Sequence, residues 1–166
     1  MSYDSSPVID VRKWLWNELQ VAGIMDSADY NVDGIGLMVP IIPIQQQQEF
    51  TDRIGGKPFI TYDFVTEYVQ SGLWYINCEQ ILFSVYCDDW STSSKIKNLM
   101  IDLFRRQDDS AKDLNAFSTS GLGYLNVTIV ENRWTRPERG DTGRNQFDMI
   151  IEVKYVRELT SNGRYS

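Results

Sequence analysis

Two stretches of the sequence repeat their apolar residues at the spacing of an amphipathic helix. Ser5 or Ser6 is suited to capping the first helix and Pro7 to its first turn. Gly23 is suited to its end. We expect this helix to pack on a sheet, with docking onto a partner protein as the alternative. Its apolar stripe consists of Val8, Val11, Leu15, and Leu19 or Ala22, with Trp14 and Trp16 flanking it.

The second stretch has the clearest helical pattern in the chain. Residues Ser91–Ser94 offer polar caps, and Arg105 and Arg106 follow near the C-terminal end, where positive charge is favourable. Such a helix is predicted to cover a sheet with its apolar face. A weaker helical turn is expected at 110–117. The apolar face consists of Ile96, Leu99, Met100, Leu103 and Phe104.

Four other stretches alternate apolar and polar residues, or are rich in β-branched and aromatic residues, as strands are. They lie at about 59–69, 73–87, 124–134 and 146–159. A Ser-Gly turn at 70–72 joins the first two as a hairpin. The order helix, hairpin, helix, hairpin predicts an α+β fold. We expect a four-stranded, mainly antiparallel sheet covered by helices, with a long protruding β-hairpin.

The segment between the first helix and the first strand, 24–58, has no clear period. Pro40 and Pro43 interrupt its apolar run, so any strand there is expected to be short or at an edge. Residues 51–58 are turn-rich and expected to be exposed, and we expect 41–56 to become ordered only against a neighbouring protein. We predict one domain over 1–166, with an N-terminal helix (1–23), this connection, a sheet-helix core (59–159) and a flexible tail (160–166).

The composition excludes one broad class of function. The 166 residues carry a formal net charge of -7, whereas a general nucleic-acid binder has a basic footprint. The acidity is compatible with a surface past which DNA moves without sticking, since like charges repel. Aromatic residues make up 13% of the chain. That content suits either surfaces that a partner covers or a strand-rich core.

Histidine is absent from the sequence, which removes the commonest general base and the commonest metal ligand. Cys78 and Cys87 belong to one predicted strand and are too far apart to form a disulfide with each other. We expect both to be reduced core thiols, typical of a protein made in the cytoplasm. The first ten residues do not resemble a secretory signal peptide, and no apolar run reaches membrane-spanning length.

Candidate catalytic groups are few. Asp88 and Asp89 follow a strand and precede a helix, where metal-binding acids often lie, but one of them is equally suited to stabilising the helix N-terminus. The glycines at 34–36 and 121–123 lack the rest of a phosphate-binding loop. Without histidine there is no Ser–His or Cys–His pair. We predict no catalytic residue, no metal and no cofactor, with an acid- or metal-dependent hydrolase as the distant alternative.

The charged segment 133–147, between the last two predicted strands, contains an Arg-Gly-Asp tripeptide at 139–141. Integrin adhesion requires export, so the need for turn residues is the plainer explanation of the tripeptide. Arginines outnumber acids in this segment of an acidic chain, which favours docking onto an acidic partner; a solvated hairpin end is the alternative. The candidate contact residues are Arg133, Arg136, Glu138, Arg139, Asp141 and Arg144.

The order of elements over 59–159 resembles the tail terminator (tail completion) proteins of long-tailed bacteriophages. In that family a strand ends at a small polar or acidic turn and enters a helix that spans the sheet, as in FSVYCDDWSTSSKIKNLMIDLFRRQDD at 83–109. Two strands then close the domain, matched by LNVTIVENRW at 125–134 and FDMIIEVKYV at 147–156. The segment IIPIQQQQEF at 41–50 and the tryptophans of the first helix depart from the family pattern.

The resemblance implies a virion structural protein of the tail-neck region, made in the host cytoplasm, without catalysis, cofactor or membrane contact. Tail terminators form a homohexameric ring that caps the tail tube protein, ends its polymerisation and joins the tail to the head-tail connector protein. In contractile tails the ring also contacts the sheath protein, and DNA passes through it without specific binding. The six candidate residues would then contact tube, sheath or a neighbouring ring. Another neck or head-tail adaptor ring protein is the near alternative.

Overall fold

The helices pack on a mixed β-sheet in the computed structural model, which describes residues 6–69, 75–135 and 145–157. Within these ranges no helix is long and apolar enough to cross a membrane. In chain order the elements are α1 (Pro7–Val21), β1 (Asn31–Val32), β2 (Gly36–Leu37), β3 (Ile41–Pro43), α2 (Gln47–Ile54), β4 (Phe59–Val69), β5 (Asn77–Cys87), α3 (Trp90–Phe104), α4 (Asp108–Ala116), β6 (Leu122–Thr135) and β7 (Asn145–Arg157).

Helix α1 begins and ends where the sequence predicts. Ser6 is the N-cap residue and Pro7 the first helical residue. At the other end Gly23 has a φ of 71°, and the N–H of Ile24 bonds to the carbonyl of Leu19 (3.0 Å). This is the Schellman arrangement, in which the residue with positive φ is usually glycine. The buried stripe consists of Val8, Val11, Trp14, Leu15 and Leu19.

Helices α3 and α4 lie where the second apolar face and the weaker helical turn were predicted. The cap of α3 differs from the prediction. Asp89, one of the two acids considered for the helix N-terminus, is the N-cap, and its carboxylate accepts the N–H groups of Ser91 (3.2 Å) and Thr92 (3.3 Å). These two residues therefore receive the cap and do not provide it. The buried residues of the predicted face are Ile96, Met100, Leu103 and Phe104, and Leu99 is half-buried.

The main sheet has five strands in the order β3-β4-β5-β7-β6. Strands β4, β5, β7 and β6 are the four predicted ones and pair antiparallel, which confirms the α+β class. The predicted count of four is wrong, because β3 adds a parallel edge strand beside residues 60–62. A separate two-stranded ladder joins β1 and β2. The extra strand forms because Ile41 and Ile42, which lie between Pro40 and Pro43 in the sequence, are buried in the core.

The segment 24–58 packs against the sheet of its own chain. That residues 41–56 become ordered only against a neighbouring protein stays a prediction. Helix α2 ends at Ile54, so it replaces the first half of the turns predicted at 51–58. Phe50, just before that stretch, is 1% exposed. Its ring contacts those of Tyr30 and Phe59, with centroids 6.4 and 5.4 Å away. Tyr30 also donates to the carbonyl of Pro58 (2.5 Å). These contacts hold the segment against the start of β4.

The larger part of the core lies between α1, α3 and one face of the sheet. Trp14 of α1 packs edge-on against Phe104 of α3 at 5.7 Å, and Phe104 stacks on Phe83 of β5 at 6.0 Å. We call this side of the sheet the helix face and the other side the open face. Cys78 and Cys87 are both buried and free of disulfides, as predicted.

Candidate functional site

Of the six predicted contact residues, the structure describes one. Arg133 lies near the end of β6, with its side chain 68% exposed and 3.7 Å from the Glu131 carboxylate. At the start of β7, Asn145 pairs with Cys87 of β5, so both strands of the predicted hairpin stay within the sheet as far as they are described. The remaining predicted contacts, and with them the predicted protruding tip, lie outside the described residues: Arg136, Glu138, Arg139, Asp141 and Arg144.

An aromatic cluster lies beside Arg133, at the ends of β6 and β7 that lead to the predicted tip. Trp90 of α3 stacks on Trp134 of β6 with ring centroids 4.5 Å apart, and Trp134 contacts Phe147 of β7 at 5.2 Å. Lys97 Nζ lies 5.6 Å from the centroid of Trp134. Trp90 is nevertheless 58% exposed. Tryptophan is enriched among the residues that dominate binding energy at protein interfaces, so Trp90 is a candidate contact residue.

The two neighbouring aspartates have a structural explanation. The Asp89 carboxylate accepts the Thr92 hydroxyl (2.8 Å) as well as the two backbone N–H groups at the start of α3. The bond from Thr92 is the largest cause of a lowered pKa for Asp89. Within the described ranges no group of three His, Cys, Asp or Glu residues lies close enough to hold a metal ion. Asp89 therefore acts as a helix cap.

The outer half of β4 is an uncovered sheet edge. Strand β3 is three residues long and pairs only with residues 60–62. Beyond that point, Asp63–Val69 has β5 on its inner side and, among the described residues, no strand on its outer side. We call Asp63–Val69 the open β4 edge. Its exposed large apolar side chains are Phe64 (54%), Val65 (47%), Tyr68 (42%) and Val69 (50%).

An apolar open edge is unusual, because unpaired backbone groups and exposed apolar side chains together invite pairing with another chain. Two features restrain the open β4 edge. A bulge interrupts the pairing with β5 between Phe64 and Thr66, and the Asp63 carboxylate accepts the N–H of Phe64 (2.9 Å). The restraint is local, since Tyr68 and Val69 lie beyond it.

Sequence reasoning missed this edge, although a signal was present. In TYDFVTEYV, residues 61–69, two apolar residues are adjacent at 64 and 65 and again at 68 and 69. A strand with only one buried face keeps apolar residues two positions apart. Adjacent apolar pairs therefore indicate either a strand buried on both faces or an exposed apolar surface. The burial of β4 falls from its first three residues to its last six, which selects the exposed alternative.

The opposite edge of the sheet, β6, is covered over its first half. The side chain of Asn115 from α4 bonds to both backbone groups of Tyr124 (2.8 and 3.0 Å). The N–H of Val127 bonds to the carbonyl of Gln107 (3.4 Å). From Thr128 onward, no strand among the described residues pairs with the outer side of β6. We call Thr128–Thr135 the open β6 edge.

One end of the open face is covered, because Phe50 of α2 packs on Phe59, which stacks on Tyr86 at 4.9 Å. The rest of this face is mainly polar and carries a small hydrogen-bond network. Glu152 of β7 accepts the Tyr68 hydroxyl and the Gln80 amide, each at 2.9 Å. The bond to Glu152 is the largest cause of a raised pKa for Tyr68, to about 12. Next along β7, Asp148 accepts the Ser84 hydroxyl (2.7 Å). This face fixes the outer end of β4 to the middle of the sheet.

The described surface therefore offers three candidate binding elements: two strand edges that have no outer strand among the described residues, and the exposed Trp90 that stacks on Trp134. Neither a protein-family profile nor a curated protein matches the sequence. Among solved structures, one chain of the virion of a native gene transfer agent (GTA) particle overlaps with this fold. The overlap has 11% sequence identity and a TM-score of 0.45, and covers 93% of this chain and 99% of that chain. An overlap this loose establishes neither a common fold nor a common function.

Proposed function

We propose that the chain is a structural subunit of a phage tail, and that its copies form a homohexameric ring at the end of the tail tube. In that place the ring terminates tube polymerisation and joins the tail to the head connector. Its partners are further copies of itself, the tube protein, the connector protein and, in a contractile tail, the sheath protein. DNA passes through the ring without specific binding.

The observation that carries this proposal is the open β4 edge. Four large apolar side chains on Asp63–Val69 are at least two-fifths exposed, next to backbone groups that lack an outer strand among the described residues. A protein that works alone gains nothing from such an edge and risks aggregation by it. A subunit that is covered on assembly uses the same edge to bind by strand addition.

Two further features support the tail terminator hypothesis over a general assembly protein. Strands β4 and β5, helix α3 and the closing strands β6 and β7 follow one another in the order on which the resemblance depends. The net charge of -7 suits a ring through which DNA must move freely. Arg133, the first residue of the predicted contact segment 133–145, and Trp90 lie at one end of the sheet, and there they would contact the tube or sheath.

Tail length tests the proposal. Phage particles that lack the chain should carry overlong tails without heads, because tube polymerisation no longer stops, and supplying the wild-type chain should restore tails of uniform length. Headless tails of normal length would favour the adaptor alternative, in which the chain joins the head but does not end the tube. A purified chain that stays monomeric beside tail tubes and binds a divalent metal tightly would contradict both.

A further inference from the structure

We propose that neighbouring copies of the chain join their sheets, with the open β4 edge of one copy pairing antiparallel with the open β6 edge of the next. In the register that we infer, Phe64 lies opposite Trp134 and Val69 lies opposite Ile129. The ring geometry in this inference rests on the proposed function. The pairing of the two edges rests on the strand directions, registers and side chains of the single chain.

The strand directions favour this pairing. Strands β4, β5, β7 and β6 alternate in direction across the sheet, so the two edges run in opposite senses. A second copy placed beside the first in the same orientation therefore presents its β6 antiparallel to β4. The contact joins two different surfaces of the same chain, so a pair of copies keeps one free edge of each kind. Such contacts repeat from copy to copy and close into a ring when the rotation permits.

The side chains on the helix face fit the inferred register. On β4 this face carries Phe64, Glu67 and Val69, which pair with Ile81, Glu79 and Asn77 of β5. On β6 it carries Ile129, Asn132 and Trp134, which pair with Ile151, Met149 and Phe147 of β7. Antiparallel pairing with Phe64 opposite Trp134 brings Glu67 opposite Asn132 and Val69 opposite Ile129. Phe64 would thereby extend the aromatic cluster around Trp134, and apolar cross-strand pairs of this kind stabilise a sheet.

The open face fits the same register. Thr66 would lie opposite Arg133 and Tyr68 opposite Glu131. Asp63 would lie diagonally across from Arg133, within reach of its long side chain. Each edge has one bulge, between Phe64 and Thr66 on β4 and between Ile129 and Glu131 on β6. Because each strand contributes one extra residue over the paired stretch, helix-face residues of one copy still lie opposite helix-face residues of the other.

The covered half of β6 selects the register. Within one sheet, the pairings across β5 and β7 put Asp63 at the same height as Glu131, and Val69 at the same height as Tyr124. If the neighbouring copy lay beside the first with no shift along the strands, these residues would therefore lie opposite one another. The first contact is repulsive, and α4 already covers Tyr124. Moving the neighbour by four residues, roughly 13 Å along the strand, removes both obstacles and keeps the faces matched because the shift is even. A stagger between neighbouring strands is what a closed, tilted sheet requires.

Pairing of two β4 edges about a twofold axis is the main alternative with the same partner, and it fits less well. In one register that keeps both helix faces on the same side, Phe64 lies opposite Glu67 of the other copy. In the next such register, Glu67 lies opposite Glu67 of the other copy. The first leaves an apolar ring against a carboxylate and the second sets two like charges side by side. The β4-to-β6 contact avoids both arrangements.

Complementation between two blocked variants tests the inference. Phe64→Lys with Val69→Lys blocks the β4 edge, and Asn132→Glu with Arg133→Glu blocks the β6 edge by placing acids opposite Glu67 and near Asp63. All four positions are exposed, so both variants should keep wild-type circular dichroism spectra. By light scattering, wild type should form a closed oligomer, and each variant alone should have the monomer mass of 19.2 kDa. Their mixture should have twice that mass, because one intact contact remains between them.

A monomeric wild type, a blocked variant that still forms the wild-type oligomer, or a mixture that stays monomeric would each overturn the inference. If a blocked variant fails to fold, Val69→Cys with Ile129→Cys supplies the second test. Oxidation should link copies of this double variant into covalent oligomers and leave each single variant unlinked, since both native cysteines are buried. Absence of linkage in the double variant counts against the register. None of these outcomes depends on tail length, so failure of the contact and failure of the proposed function are distinguishable.

Discussion

The carboxylate of Asp10, in the first turn of α1, accepts a hydrogen bond from the hydroxyl of Tyr124 on β6, 114 residues further along the chain. Asp10 also accepts the N–H of Thr119 (3.1 Å) and the hydroxyl of Ser120 (2.6 Å), and it is fully buried. Burial, followed by the bond to Asp10, raises the pKa of Tyr124. This hydrogen bond connects α1 to the half of β6 that α4 covers.

Replacing Asp10 should destabilise the fold. Asp10→Ala leaves the hydroxyls of Tyr124 and Ser120 without their acceptor in a buried site, and we expect the free energy of unfolding to fall by about 3 kcal/mol. Urea denaturation followed by tryptophan fluorescence measures this change. Asp33→Ala, which removes an exposed acid, is the matched control and should stay within about 0.5 kcal/mol of wild type. Equal stabilities for the two variants would contradict the role of this network.

Helix α2 should contribute to stability in the isolated chain. Phe50→Ala removes a ring that is 1% exposed and contacts Phe59, so we expect a loss of about 3 kcal/mol in the free energy of unfolding. Gln45→Ala, at an exposed position of the same segment, is the control. If Phe50→Ala unfolds at the wild-type urea concentration, the segment is not packed on the sheet before assembly.

The main elements could be predicted because their apolar periods are long and unbroken. Helix α3 and strand β4 lie within a few residues of their expected positions, and Cys78 and Cys87 are buried as expected. Strand β3 and helix α2 could not be predicted, because each is short and its burial depends on tertiary contacts, such as that of Phe50 with Phe59. The adjacent apolar pairs at 64–65 and 68–69 restrict β4 to a strand buried on both faces or one with an exposed apolar surface. Which of the two applies depends on strand pairing far along the chain, so the sequence alone does not locate the open edges.

The hydrogen bond between Tyr68 and Glu152 should be visible in a pH titration. The pKa of Tyr68 is raised to about 12, against about 10 for an unperturbed tyrosine. Below pH 10 the phenol is protonated in both folded and unfolded chains, so the bond contributes fully to stability. That contribution is lost as the pH rises from about 10 to about 12, where the folded-state phenol ionises.

Carbon NMR of labelled tyrosine rings measures the ionisation of Tyr68 directly. Tyr68→Phe identifies the resonance, because the signal disappears in that variant. Glu152→Gln should bring the pKa of Tyr68 down towards its ordinary value, since a neutral amide replaces the carboxylate that accepts the phenolic proton. An unchanged titration in Glu152→Gln would show that this bond does not hold the outer end of β4.

Trp90 should matter for assembly more than for folding. Its side chain is 58% exposed, so we expect Trp90→Ala to change the free energy of unfolding by about 1 kcal/mol or less. Binding to purified tail tubes should weaken on the order of 10-fold, as for a residue at an interface hot spot. Trp90→Phe keeps an aromatic ring over Trp134 and should bind more tightly than the alanine variant. Wild-type affinity in Trp90→Ala would place the docking surface elsewhere.

The position of the chain in an intact phage particle tests the central claim most directly. Cryo-electron microscopy of the neck region should show six copies in one ring on the last ring of the tail tube, with the sheet of each copy next to that of its neighbour. Density for the chain that is absent from this junction, or that lies elsewhere in the particle, would contradict the account.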